Sequence, residues 1–246
     1  MLGNVYWVLL SVCLLVIVCW LGWQGMKFQQ FHFDFLYDSM GIADHIAQYA
    51  PQNRHFLGFE QLSKVQHVEL FHGIVNAIHQ NGQGLSELSF SSSYGVQPLL
   101  TQAEVVHLVD VARLITVFNY FALCAAIGAT SLISFVLLSY RTRPLDQRFP
   151  PLSRRGLLSV YGVFVIILML NLFIFGPTRV FYWLHDLVFP AQHQWFFYYQ
   201  DSLMTTLMKA PDLFGMISIG LLGYATVIGM VSFYGVRWQL SNYKDE

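Results

Sequence analysis

Two histidines of this chain have an aspartate close by in the sequence. His107 precedes Asp110 by three residues, which is about one helical turn, and His185 is followed directly by Asp186. Imidazole exchanges protons near neutral pH, and a neighbouring carboxylate can fix which ring nitrogen carries the proton. Two such imidazoles suit acyl transfer, because one can remove a proton from a nucleophile while the other donates to an oxyanion or leaving group. The alternative on spacing alone is a pair of interfacial histidines that are hydrogen-bonded within a helix bundle.

The segment that carries His107 is predicted to be a helix that runs straight into a membrane span. Thr101 and Glu104 form a T-x-x-E capping box, so the helix should begin at Thr101. Residues Leu114 to Tyr140 then follow without a formal charge. His107 lies two turns before that apolar run, or ~10 Å at 1.5 Å per residue. We therefore expect this imidazole near the headgroup layer of a membrane.

The distribution of charge predicts a membrane protein. Hydrophobic residues make up 55% of the chain and charged residues only 11%, which is not the balance of a soluble globular protein. Four stretches without formal charge each exceed the ~20 residues that a helix needs to cross a hydrocarbon core. These predicted spans are Met1–Met26, Leu114–Tyr140, Leu157–Thr178 and Leu213–Val236. The first has no basic start and no small-residue cleavage site, so it is interpreted as a retained anchor.

Basic residues predict the orientation of the spans. Five arginines lie between the second and third spans, and Arg237 and Lys244 follow the fourth, so these ends should be cytoplasmic. With four spans the N-terminus is then cytoplasmic too, and all nine histidines fall in the two outer segments. The predicted organisation is span 1 at 1–26, an extracytoplasmic cap at 27–100, a capped helix leading into span 2 at 101–140, a cytoplasmic loop at 141–156, span 3 at 157–178, an extracytoplasmic aromatic segment at 179–212, and span 4 with a cytoplasmic tail at 213–246.

The cap is expected to mix strands with one helix. Aromatic and polar residues alternate from Phe31 to Tyr37, which predicts a strand. Ser63 and Gln66 form a second capping box, and apolar residues then keep helical spacing until Gly82. Leu85 to Phe90 is predicted as another short strand. The fold class is therefore a mainly α membrane protein, with four transmembrane helices and a small extracytoplasmic α+β cap.

Three histidines on the cap helix raise the question of a metal site. His67, His72 and His79 are separated by five and seven residues, whereas a helical zinc pair uses a spacing of four. No cysteine lies near them to complete a ligand set. We therefore predict no metal site and interpret these histidines as solvated or packing residues.

Aromatic residues crowd the second outer segment, as expected for a belt at the lipid–water boundary. This pattern explains the aromatics without an active site, but it does not explain His185 and Asp186 among them. Asp201 is expected to cap a short helix from Ser202 to Lys209, and Pro211 to begin the last span.

Both histidine segments carry a pattern beyond their spacing. Leu100 to Arg113, in the form L-T-x-x-E-x-x-H-x-x-D-V-x-R, resembles the first signature of a family of four-span bacterial membrane proteins that includes the lipoprotein intramolecular transacylases called Lit. The second signature is similar to His185–Pro190 followed by Trp195, Asp201 and Pro211. The similarity extends from about Leu99 to Phe214 and includes the order of the spans.

The resemblance implies an acyltransferase of the bacterial inner membrane. It would move an ester-linked acyl chain of a diacylglyceryl-modified lipoprotein from the lipid to the α-amine of the same N-terminal cysteine, without a cofactor. His107 and His185 would be the catalytic pair, as base and as donor in an order left open, and Asp110, Arg113 and Asp186 would orient them. The expected partners are lipid-modified lipoproteins and membrane lipids, with no nucleic acid. The alternatives are another acyltransferase or hydrolase of outer-leaflet lipids, and a non-catalytic membrane scaffold.

Overall fold

A computed structural model of the chain describes residues 2–142, 144, 162, 163, 165–167, 170, 171 and 173–242. Most of these residues are helical, and they divide into two compact units. Unit 1 comprises Met1–Gln24, Phe118–Gly176 and Leu221–Glu246, and unit 2 comprises Gly25–Val117 and Pro177–Gly220.

The helices vary in length from a single turn to more than ten turns. Eight are used below: α1 (Leu2–Phe28), α2 (Phe33–Ser39), α3 (Ile42–Tyr49), α4 (Lys64–Ile78), α5 (Gln102–Thr142), α6 (Pro177–Val188), α7 (Leu203–Leu207) and α8 (Asp212–Asn242). Among the described residues, three helices are long and apolar enough to cross a membrane, at Val5–Phe28, Gln102–Ser139 and Asp212–Val231. The predicted third span lies partly outside the described residues, and so does nearly all of the arginine-rich loop that precedes it.

Unit 1 is held together by close packing of long helices. Tyr6 and Leu10 of α1 form a buried cluster with Ala129 and Val136 of α5. Gly22 of α1 faces α8, and a Cβ atom on this residue would lie 3.3 Å from Leu221 Cδ1. Small residues at such positions let helix backbones approach each other, which is how transmembrane helices gain packing energy.

Unit 2 has an aromatic core built by short helices. The rings of Phe33 on α2 and Phe71 on α4 stack with their centroids 3.8 Å apart. Ile42, Phe59 and Leu85 are fully buried. A hairpin of β1 (Ser89–Ser92) and β2 (Gly95–Pro98) pairs antiparallel with Ser89 opposite Pro98.

The strand predicted at Phe31–Tyr37 is wrong. A 3₁₀ turn at Gln30–His32 leads into α2, and Phe33, Leu36 and Tyr37 are buried on one side of that helix. The aromatic residues alternate with polar ones, which suggested the two-residue period of a strand. The buried residues are instead three and four positions apart, which is the period of a helix. The predicted strand at Leu85–Phe90 is also displaced, because a 3₁₀ turn covers Leu85–Glu87 and β1 begins at Ser89.

Local capping signals were more reliable than strand signals. The capping box of Ser63 and Gln66 is confirmed, with both reciprocal hydrogen bonds present at the start of α4. The expected cap at Asp201 is wrong, because Ser202 is the N-cap of α7 and its hydroxyl accepts from the amide of Thr205. Ser202 has the extended backbone that an N-cap requires.

Candidate active site

The helix that carries His107 begins at a carboxylate that caps two helices. The predicted capping box is confirmed, since the amide and hydroxyl of Thr101 donate to Oε2 of Glu104 at 2.8 and 2.9 Å. The other oxygen of Glu104 accepts from the hydroxyl of Ser202 at 2.6 Å and from the amide of Met204 at 3.0 Å. Glu104 is fully buried, and all four of its contacts are donors. It therefore fastens the start of α7, and the chain leading into it, to the start of α5.

His107 on α5 and His185 on α6 lie next to each other in unit 2. Their rings are nearly parallel, with the centroids 6.2 Å apart and an interplanar angle of 28°. Phe189 packs against His107 at 4.7 Å, and Trp195 packs against His185 at 5.0 Å. The two predicted catalytic histidines thus share one aromatic enclosure.

A backbone carbonyl sets the tautomer of His185. Its Nδ1 donates to the carbonyl oxygen of Phe181 at 2.8 Å, one turn earlier on α6. A carbonyl can only accept, so Nδ1 carries the proton and Nε2 of the neutral ring has the free lone pair. Burial lowers the pKa of His185, an effect that the Phe181 bond and the charge of Asp186 partly oppose. The ring is therefore a neutral proton acceptor at pH 7.

Asp186 does not have the position expected of it. The sequence suggested that this carboxylate fixes the tautomer of His185, but its side chain is exposed and the Phe181 carbonyl occupies Nδ1 instead. Neighbours in sequence on a helix point about 100° apart, so an adjacent residue cannot easily reach the ring of the one before it. The negative charge of Asp186 raises the pKa of His185, against the larger effect of burial.

His107 is buried, and its Nδ1 has no hydrogen-bond partner among the described residues. Buried polar atoms are nearly always paired, so an unpaired one within a site is a candidate for contact with substrate. Asp110 was expected to orient this ring, but its two oxygens are occupied by other groups. Oδ1 accepts from Arg113 at 3.1 Å, and Oδ2 accepts from Nδ1 of His193 at 2.5 Å.

His193 is the functional candidate that the sequence reasoning missed. It lies in the loop after α6, where a turn closed by its amide and the carbonyl of Pro190 holds its backbone. Its only sequence signal was that it belongs to the same outer segment as His185. The partner, Asp110, is 83 residues away, so no spacing rule connects the two.

Two of the three histidines predicted on the cap helix, His67 and His79, make structural hydrogen bonds. His67 is buried between the hydroxyl of Tyr37, at 2.8 Å from Nδ1, and the carbonyl of Phe59, at 3.1 Å from Nε2. The Nδ1 of His79 bonds the carbonyl of Val75 at 2.7 Å. In the described part of the chain, no three histidine, cysteine or acidic side chains are grouped so that they could hold a metal ion.

Comparison with protein families identifies the family of the chain. The profile of the lipoprotein intramolecular transacylase Lit family matches residues 8–210, which is most of the chain. The chain belongs to the Lit family. A search of the curated proteins found no match.

Solved structures of Lit from Bacillus cereus share the fold. One, determined in meso, is 14% identical with a TM-score of 0.66, and the match covers 100% of this chain and 99% of that one. Two further structures of the same enzyme have a histidine replaced by arginine or by alanine, with the same identity and TM-score. The match covers 99% of this chain and 94% of the arginine variant, and 100% of this chain and 96% of the alanine variant. These solved structures are of a membrane integral transacylase, so this chain has the fold of a membrane protein.

Proposed function

We propose that this protein is an intramolecular transacylase for lipoproteins. It would move one ester-linked acyl chain of a diacylglyceryl cysteine onto the α-amine of that same cysteine, producing a lyso-form lipoprotein. Membership of the Lit family supports this reaction class. The observation that carries the assignment to residues is the pair of histidine rings with centroids 6.2 Å apart, one of which has an unpaired buried nitrogen.

The setting that we propose is the bacterial inner membrane, with four spans and both termini in the cytoplasm. The substrates would then be lipid-modified lipoproteins, reached from the surrounding membrane lipids, and the site would face the extracytoplasmic side. The three apolar helices of sufficient length found in the described part of the chain support a membrane location. The arginines of the loop at 141–156 support the orientation through the positive-inside rule.

The tautomers suggest a division of labour between the two histidines. His185 presents Nε2 as an acceptor, because Phe181 holds its Nδ1–H, so we assign it as the base that removes a proton from the attacking amine. His107 has Nδ1 without a partner, and the groups that a substrate ester offers are acceptors. We therefore assign His107 as the donor to the ester oxygens, with Nδ1 protonated. Filling that vacant donor with substrate also removes the cost of about 1–3 kcal/mol for an unpaired buried polar group.

The reaction needs no external energy source. The amine nitrogen forms a bond to the ester carbonyl carbon, the carbon–oxygen bond to glycerol breaks, and a proton lost by nitrogen ends on the glyceryl oxygen. An amide and an alcohol replace an ester and an amine, so the total mass of the lipopeptide does not change. Because both reacting groups belong to one substrate, the enzyme gains the rate advantage of proximity without binding a second molecule.

Mass spectrometry of a reporter lipoprotein tests this proposal. The protein would be expressed in cells that lack their own N-acylating enzyme, as wild type and as His107→Gln, His185→Gln and His72→Gln. The last variant is the matched control, because His72 is a half-buried histidine of α4 outside the candidate active site. We expect the wild type and the control to acylate the N-terminal amine at unchanged mass, and the two site variants to leave the amine free.

Each of the other outcomes would indicate a different function or mechanism for this protein. An unchanged lipopeptide with the wild type would refute transfer, and a loss of one acyl mass would identify a hydrolase. Transfer that survives both site substitutions, in protein that accumulates normally, would remove the histidines from the mechanism. A lipopeptide that is unaffected by every version of the chain would favour the non-catalytic scaffold.

A further inference from the structure

We propose that His193 is a third catalytic histidine, which takes the proton that the substrate ammonium must release to solvent. This inference rests on the proposed transfer. The ring lies beside Asp110, whose side chain is only 6% exposed, and the other oxygen of that carboxylate is held by Arg113 at 3.1 Å. A histidine oriented by a buried carboxylate is the arrangement that acid–base catalysis uses.

The hydrogen bond to Asp110 fixes which nitrogen of His193 can react. A carboxylate accepts hydrogen bonds, so Nδ1 of His193 carries the proton and Nε2 of the neutral ring is free to accept another. No described residue is hydrogen-bonded to Nε2. When Nε2 gains a proton, the ring becomes positive, and the carboxylate at 2.5 Å stabilises that charge.

The segment that follows His193 contacts both of the other histidines. Two residues after His193, Trp195 packs at a tilt against the ring of His185, and Phe197 lies 6.0 Å from the ring of His107. Asp110, the partner of His193, is one turn beyond His107 on α5. The three imidazoles therefore belong to one site, although the family resemblance indicated only two of them.

Exposure separates the task of His193 from that of His107. The side chain of His193 is 29% exposed, whereas His107 is 7% exposed as a residue. A ring in contact with water can pass its proton to solvent, and an enclosed ring cannot do so easily. His193 is thus suited to a proton that leaves the site, and His107 to a proton that stays within it.

The substrate amine loses two protons during the reaction, one of each kind. At neutral pH the α-amine of the substrate is mostly an ammonium, with an unperturbed pKa of ~8. It loses one proton before its nitrogen can attack, and a second as the amide forms. The second proton ends on the glyceryl oxygen, and the first appears in solvent as the net proton released. We assign the first proton to Nε2 of His193 and the second to the His107 and His185 pair.

The test is the pH dependence of transfer by the purified full chain in lipid vesicles. The probe is a synthetic dipalmitoylglyceryl-cysteine lipopeptide with a free amine, and the readout is the initial rate at which the amine becomes unreactive without a change in mass. The variants are His193→Gln, Asp110→Asn and the control His55→Gln. His55 also faces an aspartate, with Nε2 at 3.8 Å from Asp201, but its ring lies in the cap outside the site.

At pH 7, roughly nine tenths of an amine with pKa ~8 is charged, and at pH 9 only about one tenth is charged. We therefore expect His193→Gln and Asp110→Asn to slow transfer about tenfold at pH 7 and to approach the wild-type rate at pH 9. His107→Gln should stay slow at both values, because its task does not depend on the charge of the free amine. The control should match the wild type throughout.

Distinct results would overturn the inference without affecting the proposed function. His193→Gln with the wild-type rate at pH 7, or with a loss that is equal at pH 7 and pH 9, would show that His193 does not take the ammonium proton. An inactive wild type would instead refute the proposed transfer, and the inference would fall with it. Monodisperse behaviour of each variant in detergent establishes that the rates come from folded protein.

Discussion

The positions of α5 and α7 both depend on the buried carboxylate of Glu104. Replacing Glu104 by glutamine should therefore destabilise the protein more than the loss of an ordinary helix cap does. The substitution keeps the shape of the side chain but turns one oxygen into an amide nitrogen. Each oxygen of Glu104 accepts from one hydroxyl and one backbone amide. A hydroxyl can rotate to accept from the new amide group, whereas a backbone N–H cannot.

The magnitude follows from this geometry. Whichever way the glutamine amide points, one backbone N–H loses its acceptor, either that of half-buried Thr101 or that of buried Met204. An unsatisfied buried donor costs about 1–3 kcal/mol, and hydrogen bonds to a neutral group are weaker than those to a carboxylate. We expect a total loss of about 3 kcal/mol in the free energy of unfolding. For a chain of this size each kcal/mol shifts Tm by roughly 2–4 °C, so Tm should fall by roughly 6–12 °C.

Thermal unfolding in detergent, followed by tryptophan fluorescence, measures the effect. The matched control is Ser63→Ala, which removes the exposed capping box of α4 and should cost about 1 kcal/mol, or roughly 2–4 °C. If Glu104→Gln lowers Tm no more than Ser63→Ala does, then Glu104 does not fasten α7 to α5. The transfer rate of Glu104→Gln should fall as well, because the loop that carries His193 leads into α7.

Three further outcomes are expected. Burial lowers the pKa of His67, so below pH ~6.5 the unfolded chain binds more protons than the folded one. The Tm of the wild type should therefore fall as the pH drops from 7.5 to 5. In His67→Gln this fall should be smaller. A Tm that does not change with pH would contradict this linkage. Tyr37→Phe removes the donor to Nδ1 of buried His67 and should cost about 1–3 kcal/mol in thermal unfolding, whereas Tyr94→Phe, at an exposed tyrosine, should have no measurable effect. Finally, the proposed transfer uses histidine protons and an existing ester, so EDTA should leave its rate unchanged, and inhibition by EDTA would favour a metal-dependent hydrolase.

Signals that act over one helical turn were predicted well from the sequence. The capping boxes at Ser63 and Thr101 are both present, because a side chain and an amide three residues apart meet whenever the backbone turns into a helix. The apolar helices over Val5–Phe28 and Asp212–Val231 follow from charge-free runs, since lipid excludes charge. The strand expected at Phe31–Tyr37 failed because aromatic residues lie on both faces of α2, which hid its helical period.

The sequence by itself determined the residue types of the site, the helix start that precedes His107 and the apolar lengths that demand a membrane. Only the tertiary structure decided that His107 meets His185, that Asp110 holds His193 rather than His107, and that Glu104 caps a second helix 98 residues away. The reason is physical. A hydrogen bond within one turn is determined by local backbone geometry, whereas a partner at long range is selected by how whole helices and loops pack, which no spacing of residues specifies.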